Sequence, residues 1–172
     1  SEAEDKDSLN VTSEFAEANG LSSIGDLAEL DQVRLGANPE FRTRSYGVPG
    51  MEEIYGIENI EFTPISDGGG PATLKALLDG DIDVADIYST TPSITENDLV
   101  TLDDPENMIA AQNVLPLINA DKASDTVVDV LDAVSAALTT EDLLDLNGQN
   151  QGADKTDPAV LAKQWLTDKG LI

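Results

Sequence analysis

The sequence predicts an α/β fold, and three observations carry that prediction. The first is residues 60–89, IEFTPISDGGGPATLKALLDGDIDVADIYS, which contain a complete strand, helix, strand unit. Residues 60–65 are short, β-branched and aromatic, and Asp67-Gly68-Gly69-Gly70-Pro71 then breaks the chain and places proline at the first helical position. Leu74, Leu77 and Leu78 recur at i, i+3 and i+4 as a stripe that packs on a sheet, Asp79-Gly80 stops the helix, and residues 82–88 make the second strand. Strands joined in this way are expected to run parallel with a right-handed crossover. The second observation is that strand and helix signals alternate over the rest of the chain's first two thirds. The third is a chain of 172 residues with 40% hydrophobic content, enough for a real core, and no apolar run near the roughly 20 residues of a membrane span. In such sheets ligands gather beyond the carboxyl ends of the strands, here residues 65–70 and 87–91.

Composition narrows the function. A formal charge of -25, from 34 acidic against 9 basic residues, repels phosphate backbones and acidic membrane surfaces, so nucleic acid is not an expected partner. The acidic residues are scattered, as on a solvated surface adapted to a salty or acidic exterior. Without Cys or His the chain lacks disulfides, thiolate chemistry, the usual general base and the commonest transition-metal ligand. Catalysis would fall to carboxylates, Ser, Lys or Tyr, and no carboxylate pair stands out, so neither an enzyme nor a cofactor is expected. The absence of a signal peptide is consistent with an intracellular protein or with a processed or truncated export.

In chain order, residues 1–8 are charged and lack apolar anchors, so they are expected to fray. Residues 9–12 suit a short strand, Ser13 a cap for a helix to Asn19 closed by Gly20, and Ser23 a cap for a helix over 24–30 with Asp26 in its first turn. Residues 33–37 have the pattern of a buried strand, 39–44 of a short helical turn carrying Arg42 and Arg44, and 51–55 of a helix stopped by Gly56. Beyond Tyr88, Thr91 and Pro92 open a short helix to Asn97, residues 99–102 form a brief strand, and Asp103-Asp104-Pro105 turns the chain. Residues 113–118, NVLPLI, suit an edge or bent strand because of the internal proline. The pattern then becomes helical. Val127, Leu131, Val134 and Leu138 share one face away from Asp125, Asp129 and Asp132, Thr140 caps a helix over 141–146, and Asp157-Pro158 begins a last helix with Leu161, Trp165 and Leu166 as core candidates and Gly170 as its stop.

Several motifs have both a functional and a plain reading. Gly68-Gly69-Gly70 before a helix can present N–H groups to an anion, but no Gly-Lys-Ser/Thr follows, and a tight turn is the favoured reading. Asp79, Asp81 and Asp83 have calcium-loop spacing, yet the sixth position is Val84 rather than Gly and the twelfth Thr90 rather than Glu, so no metal site is expected. Tyr88-Ser89-Thr90-Thr91 ends a strand, where an aromatic face and hydroxyls would point into a crevice, whereas the plain reading makes Tyr88 packing and Thr91 a cap. Arg44 is either a surface ion-pair partner or a planar clamp for a ligand carboxylate.

Leu35-Gly36-Ala37-Asn38-Pro39-Glu40-Phe41 with Arg44, then Gly47-Val48-Pro49-Gly50-Met51, Tyr55-Gly56, Leu74-Lys75-Ala76-Leu77, Gly80-Asp81-Ile82-Asp83-Val84, Tyr88-Ser89-Thr90, Leu102-Asp103-Asp104 and Gln112-Asn113 form an ordered set, which Leu138-Thr139, Leu146-Asn147 and residues 162–170 extend. The set resembles the glycine betaine, choline and carnitine substrate-binding proteins of osmoprotectant ABC importers, and it covers nearly everything from Leu9 onward. The resemblance implies a three-layer type II periplasmic-binding fold whose two lobes close on the ligand. It implies that residues 1–111 are the second lobe, that residues 112–172 with the C-terminal helices return to the first, and that the family's N-terminal half has no counterpart here.

From the same resemblance, Tyr88 matches a ring of the aromatic cage that holds a quaternary ammonium, and Arg44 the group near the ligand carboxylate. Thr90 and Gln112 join them as candidate ligand-binding residues. Gln112 follows Ala110-Ala111 where relatives carry Tyr after a Pro-Pro pair, and the early cage aromatic near Asp7 or Ser8 is absent; an amide-lined site favours a more polar or less methylated compound. The implied function is an extracytoplasmic solute-binding protein, periplasmic or lipid-anchored, that delivers a small quaternary ammonium solute to an ABC permease subunit in the membrane. A ligand-sensing effector domain of the same fold is the alternative; it would need a fused DNA-binding segment and basic surface. The apolar faces of the last helices are expected to be covered by homodimerisation or by packing back on the lobe.

Overall fold

The computed structural model describes residues 1–152 and 155–172. They form two compact units, one of Lys6–Tyr88 with Ser93–Ala110, the other of Ser1–Asp5, Ser89–Pro92 and Ala111–Ile172.

The first unit is built on a five-stranded sheet, β1 (Asp7–Thr12), β2 (Val33–Ala37), β3 (Ile60–Pro64), β4 (Val84–Tyr88) and β5 (Leu99–Thr101), in the order β3-β2-β4-β1-β5. β3 and β4 are both parallel to β2 and flank it, so the two strands of the 60–89 unit run parallel with β2 between them. β1 is antiparallel to both β4 and β5, which makes the sheet mixed. Partners in a ladder share a face, so the registers Asp7↔Tyr88, Leu9↔Asp86 and Leu35↔Val84 place these six side chains on one side. There Leu9, Val11, Val33, Leu35, Ala37 and Val84 bury against Leu27, Phe41 and Met51. On the opposite side Ala85 and Ile87 pack with Leu77, Ile94 and Leu99. Each fully buried aliphatic side chain contributes about 1.5 to 3 kcal/mol, so the sheet is held from both sides.

The helices start and stop as local chemistry dictates. α1 (Ser13–Asn19) is capped by Thr12, one residue before the expected Ser13, through the Phe15 N–H at 3.2 Å, and Gly20 closes it at φ 67°. Ile24–Glu29 is a 3-10 turn that stops short of Leu30, and Pro39–Arg42 is a second one. α2 (Val48–Tyr55) begins before Met51 because Pro49 suits the first turn, and Gly56 ends it. α3 (Pro71–Leu78) matches its expected bounds, but Leu78 is 49% exposed and the buried stripe is Thr73 and Leu77, four residues apart. α4 (Ser93–Glu96) is a single turn.

Residues 1–8 are not frayed. Ala3, Asp7 and Ser8 are buried, Glu4 bridges Asn113, and the Asp5 N–H donates to the Gln112 carbonyl at 3.2 Å. Nor do residues 113–118 form a strand; beyond the bridge at Asn113 they are irregular, and Leu117 is 92% exposed. Pro116 has no N–H for a ladder, which fits that outcome.

The second unit carries α5 (Asp125–Ala137), α6 (Thr140–Gln151) and α7 (Pro158–Asp168), with side-chain caps from Ser124, Thr139 and Asp157. α6 is twice as long as expected and is capped by Thr139 rather than Thr140; Leu138 lies outside α5 as its C-cap. Leu161 is buried, while Trp165 and Leu166 are half-buried. No residue of α5 is buried.

Candidate functional site

The parallel strands β2, β3 and β4 end at Ala37, Pro64 and Tyr88, and the chain crossing that edge brings several polar side chains together. After β3, Gly68 and Gly69 turn at φ 67° and 74°. Gly69 has a second constraint, since a Cβ there would lie 2.7 Å from Ile87 Cα. The helix start that follows is already occupied: Asp67 accepts from the Ala72 N–H at 2.7 Å, the Thr73 N–H at 3.2 Å and the Thr73 hydroxyl at 2.6 Å. Burial pushes the Asp67 carboxyl up, but the Thr73 and Ala72 donors outweigh it and hold it below the usual range. The triple-glycine loop is therefore a tight turn with an internal anion. Asp79 and Asp83 are engaged by Lys75 and Arg34.

Asp7, at the first position of β1, pairs with Tyr88 across the ladder and is buried. Arg44, brought over this edge by the 3-10 turn after β2, places Nη1 3.3 Å from Asp7 Oδ2, bonds the Tyr46 hydroxyl, and has its guanidinium carbon 5.5 Å from the Tyr46 ring centre. Burial opposes the charged form of Arg44, but Tyr46, Asp7 and Tyr88 together hold its pKa above the ordinary value. Tyr46 is itself pushed up, by burial first and then by Asp7. Two residues before Tyr88 and on the same face lies Asp86, only 4% exposed, with Oδ1 lacking any hydrogen-bond partner. Burial, reinforced by Asp7 and opposed by Arg44, pushes the Asp86 carboxyl up to about 8.

Of the four residues expected from the sequence, Arg44 and Tyr88 come together at this edge, with Tyr88 39% exposed. Thr90 and Gln112 belong to the second unit. There Thr90 is buried, its hydroxyl donates to Asp5 Oδ1 at 2.8 Å and its carbonyl accepts from Asn147 Nδ2 at 2.9 Å, while Gln112 is exposed and offers its carbonyl to Asp5. The sequence reading missed Asp7, Tyr46 and Asp86 as members of the cluster. Asp86 carried a signal, an acidic residue inside an apolar strand at period two from Tyr88; Asp7 carried none, lying in a segment expected to fray. At the other end of the strands an open depression of about 490 Å³ is lined by Asp31, Gln32, Glu58, Asn59, Ile60 and Glu61, with no cation among them.

Aromatic, basic and acidic side chains thus gather at the carboxyl edge of the parallel strands, where open α/β sheets take their ligands. The family model described as the substrate binding domain of ABC-type glycine betaine transport systems, OpuAC, matches residues 1–168, and the chain belongs to that family. Among solved structures, the chain is similar to a glycine betaine/carnitine/choline ABC transporter protein at 23% identity and a TM-score of 0.82, over 97% of this chain and 60% of that one. It is also similar to apo YehZ from Escherichia coli, at 22% and 0.66 over 100% and 64%, and to lactococcal OpuAC in its closed form with glycine betaine, at 20% and 0.60 over 97% and 65%. These likenesses establish the periplasmic-binding-protein type of fold. The chain spans 60 to 65% of the length of these structures. None of its described helices is long and apolar enough to cross a membrane.

Proposed function

We propose that this chain is part of an extracytoplasmic solute-binding protein of an ABC importer, taking a quaternary ammonium compatible solute such as glycine betaine, choline or carnitine and passing it to a membrane permease subunit without chemical change. The observation that carries this reading is the pairing of a half-exposed Tyr88 with Arg44 at the carboxyl edge of the parallel strands, in a chain of the glycine betaine binding family. The Tyr88 ring face receives the ammonium and the guanidinium the carboxylate of a zwitterion. Arg44 still has donors for a ligand while bound to Asp7, because only Nη1 engages Asp7 and Tyr46 and the side chain is 44% exposed. Thr90 and Gln112, in the second unit, are proposed as further ligand-binding residues on the family resemblance. In this reading residues 1–111 are the second lobe and residues 112–172 return to the first. Thermal melting with millimolar glycine betaine, choline and carnitine tests it, since a ligand that binds only the native state raises Tm. A rise with at least one of them, and none with uncharged sucrose beyond its general osmolyte effect, is expected; no specific rise with any overturns the proposal.

A further inference from the structure

Asp86 is chemically incomplete in a way that bears on which solute the edge receives. A buried carboxylate oxygen without a donor costs folding free energy, and nearly all buried polar atoms in proteins are bonded. Asp86 Oδ1 has no partner, on a residue 4% exposed. It shares its face with Asp7 and Tyr88 and stands two residues from Tyr88, about 7 Å along the strand. That is the span of a small ammonium group. Local charge points the same way: Asp7 and Asp86 set two carboxyl groups against the single guanidinium of Arg44, whose nearest acidic partner is Asp7 at 3.3 Å. A fully methylated ammonium satisfies charge and ring face but offers no hydrogen to an orphaned acceptor.

Building on the proposed function, we infer that Asp86 is a specificity-determining residue that selects cationic solutes bearing an N–H donor, protonated tertiary or less substituted amines, over their quaternary counterparts. The amine head sits on the Tyr88 ring and donates its N–H to Asp86, while Asp7 and Arg44 hold the surrounding charge. A carboxyl that burial and Asp7 push up to about 8 then ionises on binding and releases a proton at neutral pH. The charged groups that act on it are Asp7 from β1 and Arg44 from the segment after β2; Tyr46 bonds that Arg44, Tyr88 shares the face two residues along β4, and Ala37 and Pro64, at the ends of β2 and β3, carry no titratable group.

Calorimetry with N,N-dimethylethanolammonium and choline, which differ by one N–H against one methyl, tests the inference, with glycine betaine as a third probe. The amine is expected to bind about tenfold tighter than choline, the worth of one charged hydrogen bond. In Asp86→Asn that preference should shrink to near unity, and in buffers of different ionisation enthalpy the parent, not the variant, should release a proton with the amine. Choline binding as tightly as the amine, or a preference that survives Asp86→Asn, overturns the role of Asp86 and leaves the quaternary ammonium reading standing. Binding of the amine without choline, betaine or carnitine sustains Asp86 and overturns that reading. Binding of none of these solutes overturns both.

Discussion

Arg34 in β2 grips Asp83, the residue just before β4, with both ends of its guanidinium edge: Nε donates to Oδ2 at 2.9 Å and Nη2 bonds Oδ1. The backbones reinforce the pair, since the Arg34 N–H donates to Asp83 Oδ2 at 3.2 Å and the Asp83 N–H to the Arg34 carbonyl at 2.8 Å, while Arg34 Nη1 reaches the Gly80 carbonyl at 2.7 Å. One side chain thus ties β2 to the turn after α3 and aligns the parallel pair. Arg34→Met, which keeps the stem and removes the fork, should lower stability by about 1 to 2 kcal/mol, less than a fully buried charged bond because Arg34 is partly exposed. Urea unfolding measures it; an unchanged midpoint would make the pair a surface contact of no consequence.

Arg44→Ala is expected to weaken binding of carboxylate-bearing solutes by about 1.5 to 3 kcal/mol, the worth of a charged hydrogen bond, and that of choline by less. Circular dichroism must first show that the fold tolerates Asp7 without its partner. Equal losses for glycine betaine and choline in calorimetry would remove Arg44 from the carboxylate subsite.

Tyr88 separates cation–π binding from packing. Tyr88→Phe keeps the ring and should retain most affinity for a quaternary ammonium, while Tyr88→Ala should lose about 0.5 to 2 kcal/mol. The two variants binding equally well would mark Tyr88 as a bystander.

Asp86 gives stability a distinctive pH dependence. Its folded pKa of about 8 lies above the ordinary value of 3.8 for an aspartate, so between those values the native state holds a proton that the unfolded state has lost. Its contribution is therefore most favourable below about pH 4 and declines as pH rises to about 8, by several kcal/mol at the upper limit. Asp86→Asn should remove that decline. The difference in unfolding free energy between parent and variant, followed from pH 5 to 8.5, should grow in the variant's favour; a flat difference would show Asp86 ionised throughout.

Asp142 has the opposite sign. Burial pushes its carboxyl up, but the nearby Trp165 indole, which does not reach hydrogen-bond geometry, Lys169 at 3.0 Å and the Thr139 donors together hold it at about 2. Its stabilisation is full above about pH 4 and is lost as pH falls through about 2. Asp142→Asn leaves the Thr139 cap of the Asp142 N–H in place but removes the carboxylate that accepts from Thr139 and pairs with Lys169 at the end of α7, and should cost about 1 to 2 kcal/mol at neutral pH. Amide exchange in α6 and α7 reads the loss, and parent and variant should converge near pH 2; equal protection at neutral pH would contradict it.

The legible parts of this chain are those whose physics is local. Val33–Ala37 as a buried strand, Pro71–Leu78 between Gly70 and Gly80, and the closures at Gly20 and Gly56 all follow from side-chain period, proline at a helix start and glycine at positive φ. The α/β class followed too, as did Arg44 and Tyr88 as candidates near strand ends.

What the tertiary structure decided is where polar residues find partners far along the chain. β1, DSLNVT, alternates apolar and polar only from Leu9 onward; it reaches back to Asp7 and buries its polar face because the Ser8 hydroxyl donates to the Ile87 carbonyl at 2.7 Å and Asn10 Oδ1 accepts from Thr101 at 2.6 Å, bonds that exist only once β4 and β5 flank it. That pairing brings Asp7 to Tyr88 and Arg44, and carries Asp86 into a face it shares with Leu9 and Val84. A propensity scale assigns such residues to solvent because it prices their desolvation and cannot see the donors that offset it. For Asp86 the fold supplies the burial without the donor, and that imbalance is a property of the packed sheet alone.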